Sequence, residues 1–241
     1  MAERVYGKVD STPGVVTLKR NVPPSQVIFV VGTDDTESGG HGHKSSDSFI
    51  RRVDILLKKK TVENIDLKST DEITVFVPPT MDKSNIDKLK KYGSGIPNYT
   101  VLAKKATGLV QFVNSKITVR FLIFFGHGID DAPIYDYGNE LFPKPSRFKK
   151  EAFVSDARVY FSTCNSMRYA KKFAQTLKVE TIGVEGTTFY GETEISAGRI
   201  TEDAQPGTSM GWVYKPTDTD AVSESSWSLS QRRGTAFLRE Q

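Results

Sequence analysis

Residues 116–128 read KITVRFLIFFGHG, a long apolar run that ends in Gly126, His127 and Gly128. A nearly continuous apolar stretch predicts a strand buried on both faces, as in a parallel sheet covered by helices. Residues 157–166, ARVYFSTCNS, repeat the arrangement, with an apolar run to Ser162 and Cys164 just beyond it. Open α/β sheets hold their sites outside the carboxyl ends of the strands. His127 and Cys164 are therefore expected at one edge of the sheet as a catalytic dyad.

Working outward, residues 26–31 (QVIFVV), 72–77 (EITVFV) and 180–184 read as further strands, and residues 211–215 (GWVYK) as a sixth. Helical spacing runs through residues 47–60, where Phe49, Ile50, Val53, Ile55, Leu56 and Leu57 form a broad apolar face, and through the lysine-rich residues 82–92. Residues 101–113, VLAKKATGLVQFV, read as a helix interrupted at Gly108. After the cysteine, Met167, Ala170, Phe173, Ala174 and Leu177 recur at helical spacing, with Asn165 or Ser166 as N-cap. Strands alternating with helices predict an α/β fold, with a mostly parallel central sheet of about six strands and flanking helices. Residues 1–215 are expected to form one domain, and 216–241 a polar tail or peripheral segment.

Composition fits an ordered, soluble enzyme-sized chain: 241 residues, 37% hydrophobic and 26% charged. A formal charge of +4 permits an anionic partner without indicating nucleic acid. No stretch is long enough to span a bilayer, and the opening MAERVYGKVD lacks the basic and apolar regions of a signal peptide. With a single cysteine there is no internal disulfide, which suits a cytoplasmic protein or one delivered without a cleaved leader.

An ordinary thiol is mostly protonated at neutral pH, and only the thiolate attacks efficiently. His127 supplies a base, and a helix starting just after Cys164 places unpaired amides and a positive dipole end near the sulfur. Gly128 allows close backbone approach, and its amide together with that of Cys164 forms a candidate oxyanion hole. Taken singly, a buried cysteine is commonly inert packing and a His-Gly pair commonly a turn. Their shared position at strand ends favours chemistry.

At FLIFFGHG and VYFSTCNS the chain resembles the caspase-like superfamily of cysteine peptidases, in which an apolar block precedes His-Gly and a second precedes a small residue and Cys. The resemblance covers about residues 116–190. It implies a caspase-like fold, His127 as general base, Cys164 as nucleophile and the Gly128 and Cys164 amides as oxyanion hole. Metacaspases carry an Asp two residues before the nucleophile to bind a basic side chain, and Ser162 stands there in this chain. Glu185, just past the fifth strand, falls where family members line the substrate groove. Caspases carry a processed linker between the nucleophile and the next strand, but the interval from Cys164 to Glu180 is short, so no maturation cut is expected there.

Residues 129–156 read as one long loop, where Asp130 and Asp131 are candidates to line the cleft and the basic PKPSRFKK segment is a candidate cut site or docking surface. His41 and His43, near Asp34, Asp35 and Glu37, have metal-ligand chemistry, but a Gly/Ser loop is a poor cage and no metal is expected. VVGTDDTESGG lacks the Lys-Ser/Thr and spaced glycines of a phosphate loop. The expected activity is a cysteine endopeptidase working through a thioester, without cofactor, on a protein or peptide, with a larger parent protein or a regulatory partner also in view. A non-catalytic caspase-like interaction module and a small-molecule amidase using the same dyad are the alternatives.

Overall fold

The computed structural model describes residues 23–33, 45–62, 65–129, 132–137, 139–186, 209–214 and 235–236. In chain order these give β1 (Gln26–Val31), α1 (Ser45–Lys59), β2 (Thr61–Val62), β3 (Ile65–Asp66), β4 (Glu72–Val77), α2 (Lys83–Tyr92), β5 (Tyr99–Ala103), α3 (Ala106–Asn114) and β6 (Val119–Phe125). There follow β7 (His127–Ile129), β8 (Ala132–Asp136), β9 (Glu140–Leu141), β10 (Phe153–Ser162), α4 (Met167–Leu177), β11 (Glu180–Gly186), β12 (Ser209–Tyr214) and β13 (Thr235–Ala236).

The main sheet has the order β13-β12-β11-β10-β6-β1-β4-β5. Its six strands from β11 to β5 are all parallel, and helices flank them, so the chain is an α/β protein. Numbered along the chain, the six parallel strands follow the doubly wound order 3-2-1-4-5-6. The order reverses between β1 and β6, and at such a reversal the connections leave on opposite faces and open a crevice at the carboxyl ends.

Strand alternation divides the apolar side chains into two cores. Val27, Phe29, Val31, Phe121, Ile123, Phe125 and Tyr160 face one way, packing with Phe49, Ile50 and Val53 of α1 and Leu89 of α2. Ile28, Val30, Leu122, Phe124, Val159 and Phe161 face the other way, against α3 and α4. Both faces of the central strands are covered, which is why KITVRFLIFF shows so little alternation in sequence.

Two sequence expectations are revised. Residues 101–103 belong to edge strand β5, and the helix begins only at Ala106. A half-exposed edge strand joined to a helix through Lys104 and Lys105 blends into one apparent helical period. Residues 211–214, GWVY, form a strand as expected, antiparallel to β11, and the sixth parallel strand is β5 on the opposite rim. Residues 129–156 are not one loop: β7, β8 and β9 form a separate three-stranded sheet, and β10 starts at Phe153. Within the expected tail, Thr235–Ala236 pairs with β12.

The basic PKPSRFKK segment is folded down. Pro145 and Phe148 are buried, Phe148 stacks on Phe142, and Asn114 holds the Arg147 carbonyl and the Lys149 amide. An extended cut site would require breaking these contacts.

Three phenols, Tyr135 and Tyr169 buried and Tyr99 half-buried, also pin the fold to a protonation state. Tyr135 donates to the Lys104 carbonyl, Tyr99 to the Leu89 carbonyl and Tyr169 to the Pro143 carbonyl. Burial pushes all three above the ordinary phenol range, with the nearby Glu140 and Asp136 carboxylates adding to the effect on Tyr135 and Asp54 to that on Tyr99. The folded state thus holds these protons more tightly than the unfolded chain. The stabilisation is complete below the ordinary phenol value of about 10 and is lost as pH rises from there through the raised values. Denaturant midpoints are expected to fall above that pH, with phenolate absorbance rising together with unfolding. Phenolate signal from all three in an intact fold would contradict this.

Candidate active site

β6 and β10 are parallel neighbours in which Phe125 is aligned with Ser162. His127 lies two residues beyond Phe125 and Cys164 two beyond Ser162, so the matched register brings the pair to the same level of the carboxyl edge. Alternation carried through Gly126 places His127 on the α1 side, and its ring does meet Phe49 of α1, edge-on with centroids 5.2 Å apart. A second ring, Tyr137, lies edge-on at 5.5 Å. Cys164 is partly exposed, so the sulfur-bearing residue is not sealed in the core.

Gly128 brings the two strand ends close together. A β-carbon there would lie 2.1 Å from the Cys164 carbonyl oxygen and 2.6 Å from Thr163 Oγ1. Only glycine permits this approach. In the β7–β8 ladder Gly128 is opposite Pro133, which has no amide, and the Pro133 carbonyl accepts from the Phe142 amide on its other side at 2.8 Å. Polar groups at such a position point away from the partner strand. The Gly128 amide is thereby directed away from β8.

Compared with family models, with curated proteins and with solved structures, the chain matches none.

The turn after the cysteine is tightly determined. Asn165 adopts the left-handed conformation, φ +52°, which asparagine tolerates better than most residues. Ser166 occupies the N-cap position of α4, but its side chain does not cap the helix. Instead the hydroxyl turns inward, 2.8 Å from the Phe161 carbonyl and 2.9 Å from that of Thr163, and accepts the Val184 amide at 2.9 Å. It ties the end of β10 to β11. Ser166→Ala would leave the buried Val184 amide without this acceptor, and a loss of about 1–3 kcal/mol is expected in urea unfolding. A variant as stable as the parent would show that the tie is dispensable.

Ser162 is fully buried and accepts from Arg52 Nη1 of α1 at 2.7 Å. Arg52 is itself 2% exposed and lies over the Phe125 ring. The hydroxyl of Ser162 thus faces α1 and is not open to a substrate. Glu185 lies within β11, opposite Met210, and not past the strand end. Asp130, Asp131, His41 and His43 lie outside the described residues. No group of three or more metal-ligating side chains occurs among the described residues, and no described helix is long and apolar enough to cross a membrane.

The sequence reading missed the group that holds the histidine hairpin. Asp136, at the end of β8, accepts from Thr33 Oγ1 at 2.9 Å and Thr80 Oγ1 at 2.6 Å. Thr33 in turn accepts the Tyr137 amide at 2.8 Å, and Gly32 packs against the Ile134 carbonyl. Across the β8–β9 turn from Asp136, Glu140 accepts the Ala106 amide at the start of α3 at 2.9 Å. The strand pattern of residues 132–136, APIYD, carried a usable signal, masked by the charged residues around it.

Proposed function

We propose that this chain is a cysteine endopeptidase of the caspase-like type, acting through His127 and Cys164. The observation that carries the reading is the matched register of two neighbouring parallel strands, each followed two residues on by one member of the dyad. Thiol and imidazole stand at the carboxyl edge, next to the strand-order reversal.

In the reaction, His127 takes the thiol proton and the Cys164 sulfur bonds to the scissile carbonyl carbon. The Gly128 and Cys164 amides receive the developing oxyanion. As the intermediate collapses, the carbon–nitrogen bond breaks and His127 passes its proton to the departing amine. Water, deprotonated by His127, then attacks the thioester, and the acid leaves as the thiolate re-forms and is reprotonated. Neither residue needs a cofactor for these steps.

The test combines a thiol-directed activity probe with a peptide library. Probe labelling that depends on both Cys164 and His127, with cleavage of internal peptide bonds, supports the endopeptidase. An unreactive thiol points to an interaction module without catalysis. Labelling with turnover of small amides but of no peptide points to an amidase.

A further inference from the structure

Resting on the peptidase reading, we propose that Tyr137 forms the wall of a subsite for the residue on the leaving side of the scissile bond, and that this subsite takes a bulky apolar or aromatic side chain. The acyl half of a substrate becomes bonded to Cys164, whereas the amine half must approach His127 closely enough to receive its proton. Whatever lies beside the imidazole is therefore the part that leaves.

Two aromatic rings flank that imidazole, and they differ in one respect. Phe49 is 1% exposed and belongs to the core, whereas Tyr137 is 37% exposed and is among the few large apolar side chains at the surface of the described residues. A residue attached to the departing amine meets Tyr137. The ring offers an apolar face with negative potential, which favours aliphatic and aromatic groups and disfavours carboxylates.

The ring's backbone is also fixed in advance. The Tyr137 amide is held by Thr33, and the preceding residue, Asp136, is 6% exposed and held by both Thr33 and Thr80. A platform set before binding loses little conformational entropy when it is covered. The neighbouring hairpin position adds apolar surface: Leu141, 51% exposed, is aligned through Ile134 with His127 across the three-stranded sheet.

The experiment uses the full chain and peptides that share one acyl half and differ only in the residue after the cleaved bond: Phe, Leu, Gly or Asp. For the parent protein kcat/KM is expected to favour Phe and Leu over Gly by about tenfold or more, the size typical of one apolar pocket contact, with Asp the poorest. In Tyr137→Ala the Phe-to-Gly ratio is expected to fall to about twofold or less, and in Tyr137→Phe to be retained. A uniform loss across all four peptides in Tyr137→Ala would show that the ring only braces His127, and would overturn the subsite. So would a preference that survives the alanine substitution. Absence of probe labelling in the parent protein overturns the peptidase reading itself, and this inference with it. Labelling with hydrolysis but no preference at that position overturns the subsite alone.

Discussion

Cys164→Ala is expected to abolish both probe labelling and peptide hydrolysis, while His127→Ala lowers turnover by about a hundred- to ten-thousand-fold, the range typical of losing a general acid–base group. The double variant should be no worse than Cys164→Ala, because groups that act as a unit do not contribute additively. Neither substitution removes a fully buried side chain, since His127 and Cys164 are both partly exposed, so thermal unfolding should shift only slightly. Rate measurements with matched circular dichroism spectra decide the matter. Hydrolysis that persists in Cys164→Ala would end the thiol mechanism.

Gly128→Ala should be nearly as damaging, although it removes no reactive group. The added carbon meets the Cys164 carbonyl oxygen at 2.1 Å and the carbonyl carbon at 3.2 Å. Both are backbone atoms, so no side chain can swing aside, and the ends of β6 and β10 must move apart. Overpacking of this kind costs about 1–3 kcal/mol of stability. On the proposed mechanism the chemical cost is larger: displacing an oxyanion donor typically lowers kcat by about a hundred- to a thousand-fold. Steady-state kinetics should therefore show the defect mainly in kcat, with the protein still folded at assay temperature. A Gly128→Ala enzyme within tenfold of the parent would place the oxyanion elsewhere.

The strands that carry the dyad were legible because burial on both faces leaves a nearly unbroken apolar run, and such runs stand out in FLIFF and VYF as they do in QVIFVV and EITVFV. Edges were harder to read. In β5 only part of each side chain is buried, and its sequence merges with α3 across two lysines. The small sheet around His127 was hidden for a different reason: its strands are short, and their placement depends on hydroxyl and carboxylate contacts with residues far away in sequence. No local pattern announces that Asp136 will meet Thr33 and Thr80. Ser162 shows the same limit, since its position relative to the nucleophile could be counted, but its buried bond to Arg52 depends on how α1 packs.

The Asp136 knot has a bearing on when the two strand ends come together. Its hydrogen bonds join residues 103 and 56 positions apart, from the segment after β1, the segment after β4, and β8. Contacts so distant along the chain close large loops and are slow to form. On the proposed peptidase reading, a growing or half-folded polypeptide would carry its thiol without a correctly seated imidazole, and reactivity toward neighbouring proteins would be withheld until assembly of the sheet is complete.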